Sequence, residues 1–315
     1  MDIFEKIVSA NTAPGEESEV REIIQNFLSP YADEIYTDKT GNLVAVFDGG
    51  KDESGKTEDV AVFASMDVPG LIVTYIEDNG HIKVSPIGNC DYRSVCCSVV
   101  TNGKISGVLM PESESSDKVT MSYVDFGFEN AQEAGAHILL GDTLFFNTTV
   151  TALENGFISG AGLAVKACTS AVCLAAKETL CKAGKRIYFV FCCKSSLDSR
   201  GAAQTAYQIN PDKALCVAPY SGKDFAVKIL DGKTMCDQKL TAIAEGAITA
   251  KGYTAKRYVG EKDEGDASRV FTSGQGVKTA SILMPSKYRG SLAETVQTNN
   301  ISALSGIITE FLNNI

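Results

Sequence analysis

Histidine is almost missing from this chain of 315 residues: His81 and His137 are the only two. A serine or cysteine nucleophile needs a base within hydrogen-bond reach, so the hydroxyls and thiols of most of the chain are left without an imidazole. A surplus of positive charge is lacking too. The 29 Lys and Arg against 39 Asp and Glu leave a net charge of −10, which excludes an electrostatic footprint for nucleic acid or an anionic membrane surface. No apolar run approaches the roughly 20 residues that span a bilayer, and no signal segment precedes the first helical pattern, so a cytoplasmic protein without membrane association is expected. Internal repeats, low-complexity tracts and coiled-coil heptads are absent. The ten cysteines include no C-x-x-C pair. Cys168, Cys173 and Cys181 on a helix, Cys192, Cys193 and Cys216 in strands, and the adjacent Cys96-Cys97 are therefore expected to serve as small packing residues.

What is present is alternation. Residues 1–30 give two amphipathic helices separated by a turn at Pro14-Gly15-Glu16-Glu17. Strands follow at 33–37 and 43–47 around Thr40-Gly41-Asn42, then an apolar strand at 59–64 that ends in the loop Ser65-Met66-Asp67-Val68-Pro69-Gly70. Between 71 and 158 the pattern changes to short strands at 71–77, 81–84, 95–101, 103–109, 118–124 and 142–151, with one helical piece near 130–134. This is the signature of a small barrel or sandwich. Afterwards helices at 165–183, 201–209, 239–250 and 266–271 alternate with strands at 186–193, 214–218 and 278–284, and a last helix can be capped by Asn299 or Asn300. The fold class is α/β: a three-layer domain with a mostly parallel sheet, residues 1–70 and 159–315, interrupted by a β domain at 71–158.

The ordered motifs Ala13-Pro14-Gly15, Asp38-x-x-Gly41-Asn42-Leu43, Ser65-Met66-Asp67-Val68-Pro69-Gly70, Leu140-Gly141-Asp142, Gly160-Ala161-Gly162-Leu163, Arg200-Gly201-Ala202, Gly265-Asp266-Ala267 and Lys287-Tyr288-Arg289-Gly290-Ser291 run through nearly the whole chain. The set resembles the glutamyl and deblocking aminopeptidases, dinuclear-metal peptidases of tetrahedral assembly, some once labelled endoglucanases. The resemblance implies a zinc-exopeptidase-like domain, two zinc or cobalt ions, a Glu general base and a homo-oligomer with the β domain as an interface. The chemistry calls for those groups, because two ions a few ångströms apart need a shared anion, capping imidazoles and carboxylates, and a base for water.

Carried over position by position, the ligand set is empty. Ser65 stands for the first His, Ala164 for the bridging Asp, Ser195 and Ser196 for the base and its neighbouring ligand, Ala218 for a further Asp, and Gly290 for the last His, while the supporting Asp67 remains. Neutral small side chains do not hold a divalent ion against water, so no metal cofactor is expected. The expected function is that of a non-catalytic relative, oligomeric with itself or an active paralogue, that binds a peptide or small molecule in the remaining cleft. The alternatives are a hydrolase with reassigned chemistry or a metal-dependent aminopeptidase with an atypical site. Residues open to such chemistry are Asp67, Asp198 and Asp266 as an oxygen-only cation site, and Ser65, Ser195, Ser196, Ser291, Cys168, Cys193 and Lys166 as nucleophiles or a lysine base.

Overall fold

The computed structural model describes residues 3–147, 149–261 and 265–315. Its central sheet has eight strands in the order Glu34–Thr37, Leu43–Asp48, Lys185–Cys192, Glu58–Ser65, Lys213–Ser221, Lys278–Ser286, Ala226–Leu230 and Lys256–Val259. The four middle strands, from Lys185–Cys192 to Lys278–Ser286, are parallel, and the antiparallel pairs lie on either side of them. Successive side chains of a strand point to opposite faces, and here both faces are covered. Val60, Val62 and Ala64 join the larger core beneath the helices Ile3–Ser9, Ser18–Leu28, Leu163–Glu178, Gln238–Ala250 and Asn299–Asn314, while Ala61 and Phe63 join the core beneath Arg200–Ile209 and Ala267–Phe271. That two-sided burial is why these strands read as unbroken apolar runs.

The strands Gly70–Ile76, Ile82–Ile87, Ser122–Asp125, Ser106–Pro111, Val99–Thr101 and Thr143–Phe146 close into an antiparallel barrel with its own core of Leu71, Val73, Ile82, Val84, Val100, Leu109, Val124 and Leu144. A third, three-stranded sheet joins Thr151–Ala152, Phe157–Gly160 and Glu294–Gln297.

Several local expectations are corrected. The helix expected to reach 183 stops at Glu178, where the chain turns extended at Thr179; Cys181 is therefore off the helix and half-buried. Cys97 is exposed rather than packed, and its backbone sits at φ 63. A second short helix, Tyr92–Val95, joins Ala131–Gly135 in the barrel region, capped by the Asp91 carboxylate. Asn299 and Asn300 lie inside the first turn of the last helix, not at its cap. Strands at Ala226–Leu230 and Lys256–Val259 were not anticipated. The expected strand 142–151 divides into Thr143–Phe146 and Thr151–Ala152, with position 148 outside the described residues, as are residues 1 and 2 of the first helical stretch.

Candidate functional site

In an open sheet the crevice beyond the carboxyl ends of parallel strands is the place for chemistry. Three such ends meet here, at Ser65, Cys192 and the strand containing Ala218. The cleft between them has a volume of about 290 Å³ and is bordered by Ser65, Asp67, Ser195, Ser196, Ala218 and Asp266.

Asp67 is the organising group. It is buried, and its two carboxylate oxygens accept the backbone N–H groups of Ser195 at 2.6 Å and Ser196 at 2.8 Å. Burial is the largest influence on its acidity and pushes its pKa up to about 7; the bonds from Ser196 and Ser195 work against that, and the nearby Glu17 charge adds to it. Ser65 donates its hydroxyl to the Asp67 carbonyl at 3.3 Å. The buried Ser195 hydroxyl has no hydrogen-bond partner among the described residues.

A second network sets the loop that Asp67 holds. Oδ1 of Asp38 accepts from the Thr40, Gly41 and Asn42 amides, which closes the turn between two strands. The buried Asn42 then reaches across, accepting from the Cys193 amide at 2.8 Å and donating to the Gly201 carbonyl at 3.0 Å. Glu17 accepts from the Lys194 amide at 2.9 Å. The loop so pinned carries Lys194, Asp198 and Ser199 at positive φ, a backbone arrangement that costs of order 1 kcal/mol per residue or more and persists only where its surroundings enforce it.

The other sequence-derived candidates divide. Asp198 and Asp266 border the same cleft as Asp67. Asp198, however, is paired with Arg269, and with Lys233 at 3.0 Å, and lies 3.8 Å from Arg200. Asp266 is buried at the position preceding the helix Ala267–Phe271 and makes no side-chain capping bond there. Ala164 is buried in the first turn of Leu163–Glu178, where its amide donates to Glu294 at 3.1 Å; the other oxygen of Glu294 accepts from the Gly290 amide at 2.9 Å. Gly290 and Ser291 border a neighbouring cavity instead.

Lys166 lines that neighbouring cavity too, and its ammonium donates to the carbonyls of Val8 and Ala10, both at 2.9 Å. Burial pulls its pKa down to about 8, with Glu19 opposing. The thiols are poor nucleophiles, because burial raises the Cys168 pKa well above its usual value and pushes Cys193 up to about 12. His81 stacks on Tyr123 with ring centroids 4.1 Å apart, and His137 stacks on Phe128.

The six positions that the resemblance assigns to ligands and base carry no charged side chain. Ser65, Ala164, Ser195, Ser196, Ala218 and Gly290 offer neutral or no side-chain donors, both Asp67 oxygens are engaged by amides, and Asp198 is engaged by cations. No group of three or more His, Cys, Asp or Glu among the described residues could hold an ion. Sequence reading missed the parts played by Glu17, Asn42 and Glu294. Asn42 was visible in its motif, but only as a turn former.

The sequence profile of the M42 glutamyl aminopeptidases matches residues 41–307. A curated relative, described as a putative aminopeptidase of Acetivibrio thermocellus, is 26% identical over 328 residues, covering 98% of this chain and 97% of its own length. Among solved structures, an aminopeptidase from the archaeon Desulfurococcus kamchatkensis superposes with a TM-score of 0.90 at 23% identity, over 99% of this chain and 94% of that one. The TET1 peptidase of Pyrococcus horikoshii, described as assembling into a tetrahedron or a large octahedral shell, superposes with a TM-score of 0.84 at 22% identity, over 98% and 97%.

Proposed function

This chain belongs to the M42 glutamyl aminopeptidase family, and from that premise we propose that it is a member without dinuclear metal chemistry or peptide hydrolysis, which keeps the cleft as a binding site for a peptide or small molecule. The observation that carries this reading is the closure of the Asp67 carboxylate on the Ser195 and Ser196 amides. Where the family resemblance calls for a base and a ligand, the chain offers two serines whose main chain is tied to the one remaining acid. Those two positions offer a divalent ion no charged ligand and offer water no carboxylate or imidazole base.

A hydrolase with reassigned chemistry is the second reading. It is favoured by one feature, the unpartnered Ser195 hydroxyl next to an acid poised near neutrality. One assay separates the two. Purified chain supplied with zinc, cobalt or manganese is expected to leave a panel of aminoacyl-p-nitroanilides unhydrolysed above background. Turnover that requires added metal would sink the proposal, whereas metal-independent turnover lost in Ser195→Ala would favour the second reading.

The likeness to a shell-forming peptidase supports a homo-oligomer; we propose further that the barrel contributes contacts and that the assembly is cytoplasmic, of this chain alone or with an active paralogue. Light scattering coupled to gel filtration should give a mass several times 33.5 kDa. A monomer mass across micromolar concentrations would remove this part of the account.

A further inference from the structure

A second cavity of about 170 Å³ lies beyond the shared wall of Pro69 and Asn89, between the barrel and the α/β domain. That is well above the space one water molecule needs. Its lining is mixed, with an apolar part made by Val8, Val68, Phe146, Val150 and Leu292 on different elements and a polar part that includes Asn11, Asn89 and Asn147. Among the polar groups, two are distinguished by how they are bonded.

Lys166 presents an ammonium with three N–H donors, of which the carbonyls of Val8 and Ala10 take two. These partners are neutral, so the positive charge is buried without a bonded carboxylate. Thr12 is only 1% exposed, and its hydroxyl is unpartnered among the described residues. Its backbone is fixed, because the Thr12 carbonyl accepts the Val68 amide at 2.8 Å. A buried hydroxyl left without a partner is destabilising, and a concave pocket that joins an apolar wall to a few convergent polar groups is the usual form of a small-molecule site.

We propose that this cavity binds a small carboxylate with an apolar body, its carboxylate bonded to the Lys166 ammonium and the Thr12 hydroxyl. The apolar body fills the space against Phe146, Val150 and Leu292. Glu294 also lines the cavity, with its two oxygens each accepting one backbone amide. Further acceptor capacity on those oxygens suits an α-ammonium, so an apolar α-amino acid and the corresponding simple acid share the recognition. The site adjoins the neighbouring cleft through Pro69 and Asn89 and is bordered by Gly290, one of the positions that the resemblance assigns to a ligand.

The test is calorimetric titration of the full chain with 4-methylpentanoate, leucine and 4-methylpentanamide. Saturable binding of at least one carboxylate at about 1 mM or tighter is expected, with the amide at least tenfold weaker. Tighter leucine identifies an amino-acid site; tighter 4-methylpentanoate identifies a simple-acid site. Thr12→Val should weaken binding about tenfold while leaving the thermal midpoint unchanged or higher, since it removes an unpaired buried hydroxyl. Lys166→Met should abolish binding; if that variant fails to fold, Thr12→Val decides. Absence of saturable binding, or binding indifferent to Thr12→Val, overturns the proposal.

Discussion

Asp67→Ala is expected to destabilise the folded chain by about 2–5 kcal/mol, because it leaves two buried amides without an acceptor and opens a small void. Asp67→Asn should cost less, since an amide oxygen still accepts one of the two N–H groups and the side chain imitates the protonated acid. The two variants also separate in their response to pH. A carboxyl group with a pKa near 7 in the folded state and 3.8 in the unfolded state binds more protons when folded throughout that interval. Stability therefore falls as pH rises from about 4 to about 7 and levels off above it, a change with an upper limit of about 4 kcal/mol. Urea midpoints between pH 4 and pH 8 should show this decline in the parent chain and a flatter profile in Asp67→Asn. Parallel profiles would mean that Asp67 is not the group responsible.

Gly201→Ala is expected to cost at least about 3 kcal/mol or to prevent soluble folding. A Cβ at this position would lie 2.2 Å from the Cys193 carbonyl oxygen and 2.3 Å from Oδ1 of Asn42. Neither can yield cheaply, because that Asn42 oxygen is the one that accepts the Cys193 amide, and the whole junction orients the loop carrying Ser195 and Ser196. Gly246 is the control. It lies within the helix Gln238–Ala250 with nothing within 4 Å of an added Cβ, so Gly246→Ala should stabilise by about 0.5–1 kcal/mol on helix propensity. Thermal midpoints of the two variants should move in opposite directions.

The main architecture was legible because it is written in burial. Runs such as 60–64 are apolar on both faces because the largely parallel sheet is covered on both sides, and the short strands of the barrel keep their own spacing. The strand Ala226–Leu230 escaped notice for a physical reason: Lys228 is fully buried within it, paired with Asp231, and a lysine in mid-pattern reads as exposed surface. Lys256–Val259 is a charged edge strand with little burial to betray it. The helix expected to reach 183 ends at Glu178, where Thr179 turns extended, and the apolar Leu180 beyond it is 89% exposed, so its hydrophobicity carries no signal of packing.

In the cleft, the sequence could place loops but not pair them. That Ser65, Ser195 and Ala218 lie near strand ends follows from local pattern. That Asp198 meets Arg269, 71 positions away, or that Lys166 turns toward Val8 and Ala10 is decided by tertiary packing. Asn42 shows the limit most clearly. Its turn was visible, yet its contacts with Cys193 and Gly201 span more than 150 positions.

The most direct measurement of the central claim is metal content at saturation. Equilibrium dialysis of the purified chain against micromolar zinc or cobalt, followed by elemental analysis, should leave well below one ion per chain, matching a control protein without a site. Retention of two ions per chain, lost on substitution of Asp67, would contradict the account and return this chain to the dinuclear chemistry of its family.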